Sequence, residues 1–363
     1  MKEYLYNLVT DRSRGFIPGI LKLFLFILSL LYGLIIRFLI FFYCLKPARL
    51  GVRVISVGNI TLGGTGKTSL VEYVAKYLKQ KGHKVAILSR GYKRKITSNE
   101  QPRLPDGQGA ASNETMGDEA YMLSIKLDRT PVIVDADRIR GARKAIKDYS
   151  ADTLILDDGF QQWRVGKDLE IVTIDAANPF GNRQMIPRGI LREPLSSLKR
   201  ADIFVLTKTN LNPATEGLKN LLKSLNPKAQ VFESVHQAVC FYQLGRDRGS
   251  INRESFRGKS VALFSGIGDP GSFEALVKTM GIKVGLSIRF PDHHNYSQKD
   301  IQGVIACSRE KRIDTIITTE KDAARLGNLA IDDPQAEIMV LRIELKFNKD
   351  EEFHNRLLKL FVF

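Results

Sequence analysis

Two groups of residues in this sequence have the types and spacing that handle phosphate. The first is Gly63-Gly64-Thr65-Gly66-Lys67-Thr68, preceded by the apolar run Arg53–Val57 and followed by the helical pattern SLVEYVAKYLKQKG. In such a strand–loop–helix unit, glycines let the backbone curl until successive N–H groups face phosphate oxygens. The positive end of the helix dipole adds to that field. On this reading Thr61, Leu62, Gly63, Gly64, Thr65, Gly66, Lys67 and Thr68 form a nucleotide loop, in which Lys67 reaches the β- and γ-phosphates and Thr68 offers its hydroxyl to Mg²⁺. Thr61 stands where the pattern G-x-x-x-x-G-K-[ST] has its first glycine. A glycine-rich turn with a lysine also arises by chance; the strand before and the amphipathic helix after set this one apart.

The second group is the pair Asp157-Asp158, which ends the buried-strand pattern TLIL. A P-loop needs a carboxylate on a neighbouring strand to organise its metal, and the carboxyl ends of parallel strands are where such sheets bind ligands. One acid would hold a Mg²⁺-bound water; the other would bind the metal directly or assist a base. A helix cap plus a turn would account for one of these aspartates but not both. Asp118 opens a helical stretch, where capping is the default meaning of an aspartate. Arg138 begins the helix after VIVDAD and is placed to meet phosphate, whereas Arg140 and Arg143 read as solvated or lipid-facing. A tandem His293-His294 sits in the loop PDHHNYS.

Positioning these residues calls for a parallel sheet. Strand patterns at Arg53–Val57, Lys84–Tyr92, within the segment Pro131–Ile146, at Thr153–Leu156 and in Phe204–Asn210, where a turn follows, recur with helices between them, which gives a doubly wound α/β/α P-loop domain. Residues 230–259 begin with alternating polar and apolar side chains and read as a β-ribbon linker. A second, smaller α/β domain follows, with strands at Val261–Ser265 and Thr315–Thr319 and helices near Ser272–Met280 and Ser297–Glu310. Lys321 and Asp322 in TEKDAARL would either touch nucleotide or cap a helix. The expected division is 1–49, 50–229, 230–259 and 260–363. TKTN at 207–210 resembles the base-reading NKxD of GTPases and keeps a GTPase or metallochaperone-type ATPase open, although no DxxG switch lies in register with Asp157-Asp158.

The chain has 363 residues and a formal net charge of +16, which calls for an acidic partner: nucleic acid, anionic lipid or a phosphorylated substrate. No RNP-type aromatic motif or zinc finger supports nucleic acid. The three cysteines (Cys44, Cys240, Cys307) are scattered, which argues for a reducing compartment. From Phe16 to Cys44 the chain is apolar apart from Lys22 and Arg37. The uncharged stretch between those two is about 21 Å long as a helix, short of the roughly 30 Å of a bilayer core. It reads as a membrane-associated helix, either embedded without crossing or spanning with snorkelling ends; a buried core helix is the alternative. Basic residues flank both ends (Lys2, Arg12, Arg14; Lys46, Arg49, Arg53), so charge asymmetry selects no orientation. A basic membrane-surface protein without turnover is the reading from another functional class.

The blocks VGNITLGGTGKTS (57–69), SRGY (89–92), GDEA (117–120), LDDGFQ (156–161), FGNRQMIPRGILREP (180–194), SGIGDPGSF (265–273), FPDHHNYS (290–297) and TEKDAARL (319–326) run in one order along the chain. In these blocks the sequence resembles the tetraacyldisaccharide 4′-kinases of lipid A biosynthesis, whose P-loops commonly carry Thr or Ser at the position of Thr61. The resemblance implies an enzyme that uses ATP and Mg²⁺ to phosphorylate the 4′-hydroxyl of a tetraacylated disaccharide 1-phosphate. It implies work at inner-membrane lipid on the cytoplasmic face, two α/β/α domains joined by a β-ribbon, and no obligate protein partner. It also implies a catalytic dyad of Asp118 and His293, with His294 as the competing imidazole, and a polar contact from Glu193.

Overall fold

The computed structural model describes residues 8, 11, 13, 15–91, 116–245, 249–327, 329 and 337–362. Tyr92 of the SRGY block and the flanking residues Lys2, Arg12 and Arg14 lie outside these. The first long element, α1 (Phe16–Leu45), is a helix of 30 residues. The sequence is apolar nearly all round this helix, and only Ser29, Gly33 and Ile36 are buried. Large side chains such as Phe24, Leu34, Phe38 and Phe41 stay exposed. Lys22 does not end it: its ammonium donates to the Ser13 carbonyl at 2.9 Å and pairs with Asp11 at 2.9 Å. Among the described residues this is the one helix long and apolar enough to cross a membrane.

The body is a continuous sheet. Its first half is parallel, in the order β3 (Val132–Val134), β2 (Val85–Ser89), β4 (Thr153–Asp157), β1 (Arg53–Gly58), β5 (Leu169–Asp175) and β6 (Ile203–Thr207). β7 (Gln230–Gln243) joins β6 in parallel and then runs antiparallel to β11 (Glu337–Phe347). Beyond β11 come β10 (Thr315–Thr319), β8 (Ser260–Ser265) and β9 (Lys283–Arg289), again parallel. The sequence reading places the ribbon within residues 230–259; β7 fills the start of that span, and its partner β11 returns from far along the chain.

Helices α2 (Lys67–Gln80), α3 (Asp118–Lys126), α4 (Arg138–Tyr149) and α5 (Glu216–Leu225) cover the first half-sheet. Alternation along β1 sends Ile55 and Val57 to a core with Leu70, Val74 and Leu78 of α2, and Val54 to a core with Ala142 and Ala145 of α4. The second half carries α6 (Pro270–Thr279), α7 (Gln298–Glu310) and α8 (Glu320–Leu326). The last helix, α9 (Asp350–Leu358), turns back to the first half, where Phe353 and Leu357 enter the core of β1 and α2. Functional side chains therefore collect at the carboxyl ends of β1, β4, β5 and β6, facing the second half across a cleft.

Candidate active site

Between β1 and α2 the chain makes the expected phosphate loop. Gly66 caps α2 with φ 81°, in the left-handed region, and a Cβ there would come within 3.1 Å of the His236 ring. Thr65 Oγ1 lies 2.8 Å from Thr173 Oγ1, and Thr207 Oγ1 donates to the Thr65 carbonyl at 3.1 Å, so β5 and β6 hold the loop from beneath. Thr68 is buried in the first turn of α2. The loop 265–269 of the second half approaches from above: a Cβ on Gly268 would stand 3.6 Å from the Gly64 nitrogen.

At the end of β4 two adjacent carboxylates sit in opposite electrostatic environments. Asp158, at φ 55°, accepts two hydrogen bonds from Arg192, at 2.9 and 2.8 Å, and lies 3.5 Å from Lys67 Nζ. Burial opposes its ionisation, but Lys67 and Arg192 hold it well below the usual carboxylate range. Lys67 also donates to Asn59 Oδ1 at 3.2 Å, and Arg192 donates to the same oxygen and to the Asn59 carbonyl. Asp157 is 2% exposed; Ser89 Oγ donates to its Oδ2 at 3.3 Å, while its Oδ1 is buried without a hydrogen bond. Burial, followed by the charges of Glu119 and Asp158, pushes the Asp157 carboxyl up to about 7. Neither aspartate caps a helix.

These donors fit a divalent cation. The orphaned buried oxygen of Asp157 and the ionised carboxylate of Asp158, with the Thr68 hydroxyl, are the hard oxygen donors that would hold Mg²⁺. Arg138, the first residue of α4, presents the complementary case. It is 3% exposed, its guanidinium donates to the Asp135 carbonyl, and its Nε and NH2 are buried without partners. Burial lowers its basicity, against the pull of Asp157 and Asp158. A phosphate group in this position would satisfy it. Arg140 instead pairs at the surface with Asp135, and Arg143 is exposed, as the sequence reading expects.

Asp118 is the first residue of α3, behind Gly117, and its side chain makes no cap. Its Oδ2 lies 2.9 Å from His293 Nδ1 and accepts from Arg325 Nε at 2.6 Å. Burial works to raise this carboxyl, but the His293 hydrogen bond and the Arg325 charge bring it down to about 2. His293 has φ 58° and its backbone N–H donates to the Gly266 carbonyl at 3.0 Å. His294 turns away, stacked on Phe290 at 4.7 Å with its Nε2 3.2 Å from Asp300. Next to Asp118, Glu119 accepts from Lys321 Nζ at 2.8 Å, and Lys321, with its own burial opposing, holds it down to about 2. Asp322 is wired into the second half by Gly266 N, Tyr296 Oη and Thr319 Oγ1.

Several of these residues carry no assignment in the sequence reading. Asn59, Glu119, Arg192 and Arg325 all lie inside the quoted blocks, but nothing in their types names their partners. Glu193, fully buried, accepts from Gln161, Trp163 and Arg200 and so anchors the strand of chain that delivers Arg192. That same segment is buttressed by α1. Ser29 Oγ donates to the Met185 carbonyl at 2.7 Å and accepts from Arg188 N at 2.9 Å, and Tyr32 Oη donates to the Arg192 carbonyl at 3.0 Å.

Comparison with known proteins agrees along the whole chain. A family model described as tetraacyldisaccharide-1-P 4′-kinase matches residues 21–362. A tetraacyldisaccharide 4′-kinase of Halothermothrix orenii is 37% identical over 362 residues, covering 95% of this chain and 94% of that one. One of Elusimicrobium minutum is 35% identical over 312 residues, covering 85% and 82%. The crystal structure of LpxK from Aquifex aeolicus in complex with ATP superposes with a TM-score of 0.75 at 32% identity, over 94% of this chain and 100% of that one. With a family model over nearly the whole chain and relatives above 30% identity covered almost end to end, the chain belongs to the tetraacyldisaccharide-1-P 4′-kinase family.

Proposed function

We propose that Asp118 of the first half and His293 of the second, which meet across the cleft at 2.9 Å, form the proton-accepting unit of an ATP-dependent lipid kinase. The protein transfers the γ-phosphate of ATP to the 4′-hydroxyl of tetraacyldisaccharide 1-phosphate, the lipid A precursor. The acceptor O–H bond breaks and its proton passes to the Asp118 carboxylate. The freed oxygen bonds to the γ-phosphorus as the bond to the β,γ-bridging oxygen breaks, leaving ADP. Lys67 and Arg138 supply positive charge to the transferring group, where preorganised donors act most strongly. Thr68, Asp157 and Asp158 would hold Mg²⁺, which when bound would neutralise phosphate charge. His293 orients the base through its 2.9 Å contact with Asp118.

The exposed apolar surface of α1 seats the enzyme on membrane lipid, beside the segment that carries Arg192. A supply of ATP supports the cytoplasmic face of the inner membrane, and no protein partner or nucleic acid enters the reaction. Against a GTPase, Lys208 of TKTN is already bound to Asp175 at 2.5 Å and Asp269 at 2.6 Å. The test is an assay with γ-labelled ATP and the purified acylated disaccharide 1-phosphate. Label should enter the lipid, and Asp118→Ala should lower kcat by about 10²–10⁴-fold with a smaller change in KM for ATP. Label found only in inorganic phosphate, or only with GTP, would overturn the assignment.

A further inference from the structure

Arg325 has no part in the reaction as written, yet its side chain is 1% exposed and touches both members of the proposed base unit. It rises from the last turn of α8. Its NH1 donates to the Gly266 carbonyl at 2.6 Å and to Asp322 Oδ1 at 3.1 Å. Asp322 is in turn fixed by Gly266 N at 3.0 Å, Tyr296 Oη at 2.9 Å and Thr319 Oγ1 at 2.7 Å. The guanidinium is a rigid planar fork, so anchoring one limb on the second half of the molecule fixes where the other points. That other edge delivers Nε–H to Asp118 Oδ2 at 2.6 Å and puts NH2 3.2 Å from His293 Nδ1.

The consequence lies in which oxygen is taken. Arg325 Nε and His293 Nδ1 both address Oδ2 of Asp118. Two acceptors 2.9 Å apart would repel, so His293 presents Nδ1–H to the carboxylate. Oδ1 takes no hydrogen bond among the described residues. With two donors on one oxygen the carboxylate cannot rotate freely, and the oxygen left over is the one able to receive a proton. We infer that Arg325 is the positioning residue of the base unit: it clamps Oδ2 of Asp118 so that Oδ1 is presented to the acceptor hydroxyl. This rests on the base assignment made above.

A plain interdomain salt bridge is the competing account, and the surroundings argue against it. The same pair of helices, α3 and α8, is already joined by Lys321–Glu119 at 2.8 Å and Lys126–Glu320 at 2.9 Å. Arg325 is therefore not needed merely to hold them together. The charged groups that face Asp118 are His293 and Arg325 directly. Behind them stand Asp322, the Glu119–Lys321 pair, and Asp292, which lies 3.9 Å from His293 Nε2.

The experiment uses full-length enzyme with ATP, Mg²⁺ and detergent-dispersed acylated disaccharide 1-phosphate, and compares Arg325→Met, Arg325→Lys, Asp118→Ala and the Asp118→Ala/Arg325→Met double variant. Arg325→Met should lower kcat by about 10–100-fold with KM for ATP within about two-fold. The acidic limb of its kcat–pH profile should move up by about one to two pH units, because the carboxylate loses its neighbouring cation. Arg325→Lys keeps the charge without the fork, so its acidic limb should stay in place while kcat recovers only in part. On the Asp118→Ala background, Arg325→Met should add little, since residues acting as one unit are non-additive. A folded Arg325→Met enzyme with an unmoved acidic limb would overturn the inference, as would an equal further loss on the Asp118→Ala background. Should Arg325→Met fail to fold, Arg325→Lys decides alone, and wild-type kcat there overturns the clamp. Near-normal turnover of Asp118→Ala would instead remove the base assignment itself, a result separable from every outcome at Arg325.

Discussion

Asp157 and Asp158 are chain neighbours driven apart by their surroundings, one desolvated towards neutrality and the other ionised by Lys67 and Arg192. Their substitutions should therefore differ in kind. Asp157→Asn should raise the Mg²⁺ concentration for half-maximal rate by about ten-fold or more, the size of effect seen when metal-site groups are lost. Asp158→Asn should leave Arg192 and Lys67 without their shared counter-ion and lower kcat, with a milder effect on Mg²⁺ dependence. Mg²⁺ titrations of both variants check this, and equal Mg²⁺ profiles would refute the division of labour. His236, beneath Gly66, offers a second test. Burial, aided by Lys208 and Lys321, lowers its imidazole from 6.5 to about 4. As pH falls through 6.5 the unfolded chain takes up this proton and the folded protein does not, so the contribution to stability is whole above 6.5 and is lost progressively down to about 4. The Tm of His236→Gln should fall less between pH 7.5 and 5 than that of wild type. Lys67, the two aspartates and the tandem histidine were readable in the sequence as candidates because residue type and local spacing limit the chemistry open to them, and family resemblance pointed to Asp118 and His293. Arg192 and Arg325 were not, because their chemistry depends on partners 133 and 207 positions away.

At the scale of elements, α1 does two things at once. Its apolar surface faces outward, while Ser29 and Tyr32 brace the segment 182–192. Deleting residues 1–45 should move much of the protein to the soluble fraction and should also lower kcat on detergent-dispersed substrate, because Arg192 loses its support. Tyr32→Phe separates these effects: it removes one hydrogen bond, about 1 kcal/mol. It should reduce turnover a few-fold while membrane sedimentation is unchanged. Undiminished turnover in Tyr32→Phe would uncouple the helix from Arg192. Most parallel strands and their helices were legible from buried runs and caps; Ser297, for instance, makes a full capping box at the start of α7. The ribbon was not. β11 pairs with β7 from far along the chain, and β9 alternates too weakly between half-buried and exposed residues to stand out.

Across the whole molecule the two half-sheets are tied at the cleft as well as through the ribbon. Lys208, at the end of β6, bridges Asp175 of the first half and Asp269 of the second. Asp175 is largely buried and Asp269 partly exposed, so Lys208→Met leaves one desolvated and one screened charge, a cost of about 2 kcal/mol. That variant should show a lower Tm and a larger radius of gyration by small-angle X-ray scattering. An unchanged radius would mean the ribbon alone fixes the cleft.

The return of α9 to the first half has a consequence for how this chain is made. Phe353 and Leu357 pack with Leu70 and Val74 of the helix that follows the phosphate loop, Tyr73 Oη donates to Asp350 at 2.6 Å, and His354 stacks on Tyr77. The first half is thus closed by residues translated only after the whole of the second half. During synthesis its central core must wait, open on one side, while the intervening half is translated. Ribosome-stalled chains ending before residue 349 should stay protease-sensitive in the first half, although every phosphate-loop residue has already emerged, and extending the chain through α9 should confer resistance in a single step.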